Sequence, residues 1–303
     1  DANYFLPEDV SIGGKTLKAG TPVRLSVSTR QGIVRDDTDA ELGSHGAGYR
    51  IHDYEKWLLQ LQSNVIGDSL SILGAGLLRN GAQAFVQVAL PETVFDDSTG
   101  FDFWPYIMAS TSLDGSIPTT FGAQNLFVVC DNTRNIALRQ SESSGRIYKA
   151  KHTSGSLDVG RIKDVRQSLG IIHRTADNMI AELHELAAIK VTPRQWVKVM
   201  DIIYPMPDPA DSPSKISVTR RENMREVLNH TYHRDPMCRD YKGTALGAVH
   251  AFNTFETHYR TVQGNRVERN LEKVITGKIG DHDQLVIKAV AEATNHPELV
   301  SAN

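Results

Sequence analysis

A run of prolines about two thirds of the way along the chain limits how the protein can fold. Residues 204–214 read YPMPDPADSPS and hold four of the twelve prolines. Proline fixes φ and has no backbone N–H, so neither an α-helix nor a central strand can continue through such a run. Proline-rich segments favour extended, semi-rigid connections. We therefore predict a linker at 204–215, between a core domain at 1–203 and a helical C-terminal region at 216–303.

The region before this linker has the pattern of an antiparallel sheet. Val23, Leu25 and Val27 alternate with polar residues, which is the period of a strand with one buried face. The pair Asn80-Gly81 favours the positive φ of a tight hairpin turn. Short links between strands argue against a doubly wound parallel fold. Further strands are predicted at 71–78, 84–90, 104–109 and 125–131.

A long amphipathic helix is predicted at about 160–190. Its apolar positions alternate in steps of three and four residues, which is the heptad spacing of a packed helix. These positions are Ile162, Val165, Leu169, Ile172, Ala176, Met179, Leu183 and Leu186. Such a helix packs either across the sheet of its own chain or against a second helix, and we favour the sheet because helices of globular proteins usually cover their own core. The predicted fold class is α+β, a strand-rich antiparallel region covered by this helix and followed by helices.

Composition excludes several classes of protein. The chain has 303 residues, a formal net charge of -3 and 40 % hydrophobic residues, which is enough for sizeable cores. No segment approaches the ~20 apolar residues of a membrane span, so we expect no membrane partner. The N-terminal residues lack the pattern of an export signal, and two cysteines are too few for a disulfide framework. The scarcity of cysteine favours a reducing compartment, so we expect a cytoplasmic protein.

A local basic segment is the best candidate for a binding site. Between 134 and 152, six basic residues surround Tyr148 while only Glu142 opposes them. Cations can follow a phosphate backbone while an aromatic ring stacks on bases, which is how single-stranded nucleic acid is bound. An ordinary solvated face is the alternative interpretation. The candidate nucleic-acid-binding residues are Arg134, Arg139, Arg146, Tyr148, Lys149, Lys151 and His152, with Arg24 and Arg30 as further members.

Signatures of catalysis are weak. The sequence has no phosphate-binding P-loop and no nucleophile elbow, so we predict no catalytic residues and no cofactor. A zinc site at His230, His233 and Cys238 is incomplete, because structural zinc normally takes four N or S ligands in tight pairs. We predict no metal site. The carboxylates Asp96, Asp97 and Asp114 have the spacing of turn residues. A metal-dependent hydrolase that uses either set is the alternative to a binding protein.

Two glycines interrupt a predicted strand. Gly74-Ala75-Gly76 lacks the third glycine and the following helix of a dinucleotide-binding loop. A bend in the strand, or the close approach of another group, explains these glycines better.

Several short motifs, in order, resemble the "phage/plasmid-like protein" family, a bacterial and phage domain of unknown function. The similarity covers roughly residues 20–265. The family usually has a histidine where this chain has Leu113, which weakens any chemical role for that position. The motifs are the segment 74–86, Asp114-Gly115-Ser116, the segment 128–133 with Ala137-Leu138, Lys151-His152-Thr153 and Gly243-Thr244-Ala245.

The resemblance implies a phage, prophage or plasmid gene, and such genes often serve DNA replication, recombination or evasion of host defence. By analogy of fold, the arrangement is similar to the single-strand annealing proteins of phage recombination systems. We therefore predict a homo-oligomer that binds and anneals single-stranded DNA without ATP, and is not an enzyme. A protein that blocks a host defence factor is a further alternative.

Overall fold

The computed structural model describes residues 3–5, 8–12, 15–24, 30–55, 71–89, 93–127, 133–134, 147–150 and 172–301. The chain divides into two compact units, Asp1–Tyr49 and Arg50–Asn303. The smaller unit contains three antiparallel pairs of short strands. These pairs are β1 (Asn3–Phe5) with β4 (Pro22–Arg24), β2 (Val10–Ile12) with β3 (Lys15–Leu17), and β5 (Arg30–Val34) with β6 (Glu41–Gly46).

The larger unit begins with a seven-stranded sheet. Its main path runs β12-β11-β10-β8-β7, while β13 pairs with β11 and β9 pairs with β10. Every pair in this sheet is antiparallel, as predicted. The strands are β7 (Ser71–Leu78), β8 (Gln83–Ala89), β9 (Val94–Asp96), β10 (Phe101–Ser112), β11 (Thr119–Phe127), β12 (Thr133–Arg134) and β13 (Ile147–Ala150).

The hairpin between β7 and β8 forms where the Asn-Gly pair predicted it. Asn80 and Gly81 have φ values of +55° and +92°. Asparagine and glycine tolerate this left-handed conformation better than other residues. Arg79 also has a positive φ, +50°, so the turn extends one residue further than the pair itself.

Helices follow the sheet. The predicted long helix is described from Ile172 onward, and its predicted first part at 160–171 lies outside the described residues. Among the described residues, no helix is long and apolar enough to cross a membrane. The helices are α1 (Ile172–Ala188), α2 (Pro193–Ile203), α3 (Lys215–Arg234), α4 (Ala245–Thr254), α5 (Arg266–Ile275), α6 (Lys278–Thr294) and α7 (Glu298–Ser301), and a π-helical segment (Phe255–Tyr259) continues α4.

The sheet contributes to two hydrophobic clusters. Phe101 and Phe103 of β10 belong to the larger cluster, together with the α1 residues Met179 and Leu183. Tyr106 and Met108 belong to a second cluster with Val274, Ile275 and Ile279. Successive side chains of a strand point to opposite faces, so residues of odd and even number separate in this way. The structure is therefore an α+β fold, as the sequence predicted.

The proline run lies between two segments that contribute to the same hydrophobic cluster. The larger cluster contains buried residues from both sides of it. Tyr204, at the start of the run, is itself buried, and Pro209–Asp211 forms one turn of 3₁₀-helix. The boundary between the two compact units lies at Tyr49, and the division into 1–203 and 216–303 stays a prediction. Proline ends α2, but hydrophobic packing then returns the chain to the same core. The residues shared across the run include Phe103, Leu183, Trp196, Leu228, Phe252 and Val290.

Candidate functional site

The predicted basic segment is described only in part. Arg134 lies on β12 opposite Asn125, and β13 places Lys149 opposite Thr120. Both short strands pair with β11, so this part of the segment lies along one strand of the sheet. The Cα of Tyr148 pairs with that of Phe121. The side chains of Arg134, Tyr148 and Lys149, and the whole of Arg139, Arg146, Lys151 and His152, lie outside the described residues.

The two further predicted residues belong to the smaller unit. Arg24 lies on β4, where its Cα pairs with that of Asn3, and its side chain is outside the described part of the chain. Arg30 on β5 is exposed and donates a hydrogen bond from Nε to Ser44 Oγ at 3.1 Å.

A large cavity forms a groove on the helical side of the larger unit. One wall is a face of α3, and the other is the π-helical segment with the chain that follows it. The cavity encloses about 960 Å³. We call it the α3 groove and define it by Lys215, Arg220, Val227, Phe255, Tyr259 and Arg260. Helix α3 begins at Lys215 because Ser214 caps it, with the Ser214 Oγ accepting from the backbone N–H of Ser217 at 3.2 Å.

Positive charge dominates the α3 groove. Its described lining residues include Lys215, Arg220 and Arg260, and none of those described is an aspartate or glutamate. Within the described part of the chain, Lys215 and Arg220 have no ion-pair partner, and Arg220 is exposed. Because no described carboxylate pairs with Lys215 or Arg220, these two cations produce a local positive potential, whereas the charge of Arg260 is balanced by Glu256. The α3 groove is therefore suited to an anionic ligand.

Apolar and aromatic surface is exposed beside these cations. Ile216 is 76 % exposed and Tyr259 is 44 % exposed. The Tyr259 hydroxyl donates to the Asp235 carboxylate, which orients the ring while part of it faces solvent. That hydrogen bond, together with burial, raises the pKa of Tyr259 to about 12. The ring therefore stays neutral at physiological pH and offers a stacking surface next to the cations.

A buried carboxylate anchors one side of the α3 groove. Glu256, in the π-helical segment, accepts hydrogen bonds from Arg260 Nη1 and from the Tyr204 hydroxyl, each at 2.5 Å. Lys273 Nζ lies 3.5 Å from the second carboxylate oxygen. A buried charge is tolerated only where other charges and hydrogen bonds compensate its lost hydration. This network therefore keeps Arg260 at the edge of the groove.

The pKa values of this network follow from burial and charge. Burial opposes ionisation of Glu256, but the Tyr204 hydrogen bond and the neighbouring cations outweigh it and hold its pKa below the ordinary value. Burial and the Glu256 charge raise the pKa of Tyr204. Burial also lowers the pKa of His282, against the attraction of Glu256. At neutral pH the network therefore holds one carboxylate and two cations around a neutral tyrosine and a neutral histidine.

The residues of the zinc hypothesis do not converge. His230 is exposed on α3, whereas Cys238 is buried and its Sγ donates to Thr254 Oγ1 at 3.7 Å. Burial is the main reason that the pKa of His233 is lowered. Over the ranges that the structure describes, no three His, Cys, Asp or Glu side chains are placed to hold a metal ion.

The three carboxylates considered for catalysis have separate roles. Asp96 is buried and accepts hydrogen bonds from the Thr99 backbone N–H at 3.2 Å and from His184 Nε2 at 3.0 Å. Burial opposes its ionisation, but these partners hold the pKa of Asp96 below the usual value. Asp114 accepts from the Ser116 backbone N–H at 2.8 Å, and Asp97 is exposed. Asp114 therefore stabilises a turn, whereas Asp96, at the end of β9, links the following turn to His184 of α1.

A serine also lies beside the Asp96–His184 pair. Ser98 Oγ is 2.5 Å from His184 Nε2, which is the same ring nitrogen that contacts Asp96. In a nucleophilic triad the hydroxyl and the carboxylate bind different nitrogens of the histidine. This arrangement therefore stabilises the turn between β9 and β10 and does not activate the serine.

The sequence patterns did not predict the α3 groove. Arg220 and Lys215 lie within one charged helix, so their pattern is that of an ordinary solvated face. Arg260 follows the helix that carries Phe255 and Tyr259, and its position beside α3 depends on tertiary packing. The one available signal was the excess of positive charge on α3, which contains five Lys and Arg residues and two glutamates.

Comparison with known proteins identifies a family. The family described as "Domain of unknown function (DUF932)" matches residues 41–276. Neither a curated protein nor a solved structure matches the chain. The matched region contains the seven-stranded sheet, α1 to α5 and the α3 groove. Since the match covers more than half of the sequence, the chain belongs to the DUF932 family.

Proposed function

We propose that this protein binds single-stranded DNA and promotes annealing of complementary strands without ATP. The observation that carries this proposal is the α3 groove, whose described lining includes the unpaired cations Lys215 and Arg220, together with an exposed tyrosine. Phosphates release counterions when cations bind them, and base stacking on an aromatic ring needs no particular sequence. The stacking contribution favours single-stranded over double-stranded nucleic acid, because only unpaired bases expose their faces.

The size of the α3 groove fits a short stretch of strand. Its lining follows α3 from Lys215 to Val227. At ~1.5 Å per residue this helix face is about 18 Å long. At ~3.4 Å per nucleotide, about five phosphates would lie along it. A strand longer than this would continue beyond the groove, and the basic segment around Arg134 and Lys149 is its proposed second contact.

Annealing is the proposed consequence of binding. Two complementary strands repel each other through their phosphates, and cations along each backbone lower that repulsion. A homo-oligomer would hold a longer strand with its bases accessible. The resemblance to the phage/plasmid-like family supports this role in recombination or replication of phage or plasmid DNA, within the bacterial cytoplasm.

The first experiment measures binding by fluorescence anisotropy with a labelled 30-nucleotide single strand at several salt concentrations. We expect the double variant Lys215→Ala/Arg220→Ala to weaken binding and to reduce the slope of log K against log salt by about 1.4, since each lost phosphate contact contributes about 0.7. The matched control is Arg194→Ala/Lys288→Ala, which removes an exposed arginine and an exposed lysine outside the α3 groove. The control should bind like the unmodified protein.

Other results would contradict the proposal. No binding by the unmodified protein at low salt would reject nucleic acid as the ligand. Equal loss in both double variants would show a diffuse charge effect instead of a site. A third variant, Arg134→Ala/Lys149→Ala, tests the basic segment separately. Cleavage of the labelled strand on addition of divalent metal would instead favour the hydrolase alternative.

A further inference from the structure

A second cavity lies between the sheet and α5. It encloses about 460 Å³, within the range of sites that take small molecules. Its polar lining groups include Gln87, His258, Arg266 and Asn270, and its apolar lining includes Phe85 and Leu271. We call this cavity the amide pocket. We propose that the amide pocket binds an adenine base, supplied either by the bound strand or by a free nucleotide.

Gln87 supplies the first argument. No described residue forms a hydrogen bond with its side-chain amide, although the residue lies on a central part of β8 and lines the pocket. A side-chain amide carries a donor and an acceptor side by side, and adenine presents the complementary pair at N6 and N7. A free amide inside a cavity is therefore a specific recognition group for this base.

Gly74 creates the space that Gln87 uses. A Cβ atom at Gly74 would lie 3.0 Å from Gln87 Oε1, and one at Gly76 would lie 3.0 Å from the Phe85 ring. Distances this short are tighter than ordinary van der Waals contacts. The two glycines that interrupt β7 therefore let the Gln87 and Phe85 side chains occupy the surface of the sheet.

The side-chain amide of Asn270 supplies the second argument. Asn270 on α5 donates from Nδ2 to the Thr257 carbonyl at 2.8 Å, whereas its buried Oδ1 has no hydrogen-bond partner in the described part of the chain. A buried polar atom without a partner costs free energy, and such atoms are often satisfied by ligands or water. A small rotation of this side chain would offer Oδ1 as an acceptor to the N6 amino group of adenine.

Charge and shape suit a nucleotide. Among the residues that the structure describes, the lining contains Arg266 and no carboxylate. Arg266 is held by hydrogen bonds from Nη1 to the carbonyls of Arg260 and Thr257 at 2.9 and 3.2 Å. A fixed guanidinium favours a phosphate at the pocket entrance. The apolar groups that line the pocket can pack against the faces of a planar ring.

The position of the amide pocket relates it to the proposed path of DNA. Phe255 and Tyr259 of the π-helical segment line the α3 groove, while Thr257 and His258 of the same segment line the amide pocket. On the other side, Leu126 lines the pocket and its Cα pairs with that of Thr133, next to Arg134. The pocket therefore lies between the α3 groove and the basic segment, so the DNA source of the base rests on the proposed function.

The test compares three probes with the full chain: dA12, dT12 and free AMP. We expect dA12 to bind at least about fivefold more tightly than dT12, because one good paired contact to a base discriminates by about that factor or more. The variant Gln87→Leu should remove this preference and leave dT12 affinity and its salt dependence unchanged. The control Gln284→Leu changes a half-buried glutamine of α6 outside both cavities and should keep the preference.

Unchanged dT12 binding by Gln87→Leu also shows that this variant is folded, and Gly74→Ala provides a second, smaller perturbation of the same amide. Equal affinity for dA12 and dT12 in the unmodified protein would contradict adenine binding in the amide pocket. A preference for dA12 that Gln87→Leu retains would also contradict it. Both results would leave the proposed function intact. If no DNA binds but AMP does, and Gln87→Leu abolishes AMP binding, the pocket serves a free nucleotide and the proposed function fails. Absence of both dA12 and AMP binding would reject the inference.

Discussion

At the scale of single residues, Glu256 shows how one buried charge organises its surroundings. Its carboxylate is only 7 % exposed and is surrounded by Arg260, Lys273, Tyr204 and His282. Each partner compensates part of the hydration that the carboxylate lost on burial. Because Arg260 also lines the α3 groove, the network links the stability of the core to the charge of the proposed site.

This network predicts a pH-dependent effect of Glu256→Gln. At pH 7 we expect a loss of about 3 kcal/mol in the free energy of unfolding, because the variant leaves cations without their buried partner. The folded-state pKa of Glu256 lies below its unfolded value of 4.5, so its contribution is present above pH 4.5 and is lost as the pH falls through the folded pKa. Urea denaturation at pH 7 and at pH 3.5 should therefore give a smaller difference at pH 3.5.

The matched control for this prediction is Glu226→Gln. Glu226 is an exposed glutamate of α3 with no ion-pair partner among the described residues. Its substitution should leave the free energy of unfolding nearly unchanged at both pH values. A pH-independent loss in Glu256→Gln would contradict the assigned role of the charge and indicate a packing defect.

At the scale of elements, the contact between α4 and the preceding turn depends on a glycine. A Cβ atom at Gly247 would lie 2.1 Å from the Tyr241 carbonyl oxygen and 2.6 Å from its carbon. Both are backbone atoms, so the clash cannot be relieved by a side-chain rotation. Gly247 therefore allows the first turn of α4 to pack closely against the 3₁₀-turn Arg239–Tyr241.

Gly247→Ala is expected to reverse the usual rule for helices. Alanine normally stabilises a helix by up to ~1 kcal/mol relative to glycine. Here the clash should lower the free energy of unfolding by about 3 kcal/mol, since overpacking a close contact strains the backbone. Thermal denaturation measures the effect, with Gly32→Ala as the control because a Cβ there meets no atom within 4 Å. A stabilised Gly247→Ala variant would show that the turn and α4 are further apart.

The π-helical segment is the second element with a special role. It continues α4 without a break and contributes Phe255 to the α3 groove and Thr257 to the amide pocket. π-Helical turns are rare and are frequently found at functional sites. Here the wider turn supplies lining residues to two cavities from five consecutive positions.

At the scale of the whole molecule, the larger hydrophobic cluster joins the segments on the two sides of the proline run. Trp196 stacks on Tyr232 at a ring distance of 4.0 Å, and these residues come from opposite sides of the run. The Trp196 indole N–H also donates to Asn229 Oδ1 at 3.0 Å. Large buried aromatic contacts of this kind require both segments to be folded together.

This architecture predicts cooperative unfolding. A chain limited to residues 50–303 should unfold in a single transition, whereas residues 50–203 alone should show no cooperative transition, because they lack the helices that cover Phe103 and Trp196. Calorimetry or urea titration followed by tryptophan fluorescence measures this. A cooperative transition in the 50–203 fragment would support the predicted division between a core domain and a helical C-terminal region.

The elements themselves were largely predictable, because their signals are local. The period of two in the strands, the Asn80-Gly81 turn and the heptad positions of α1 each depend on residues close in the chain. Four of the predicted apolar positions, Ala176, Met179, Leu183 and Leu186, are buried. The predicted linker illustrates the limit of local signals, since a proline run ends a helix but does not say where the chain goes next.

The sequence by itself determined that this protein has an antiparallel sheet and amphipathic helices in one α+β fold, since hydrophobic period and turn chemistry are properties of short segments. Only the tertiary structure decided where the cavities lie. Lys215 and Arg260 line one groove, and Gln87 and Asn270 line one pocket, although each pair is distant in the chain. Helix packing brings such residues together, and packing depends on the shapes of whole faces, which no short pattern encodes.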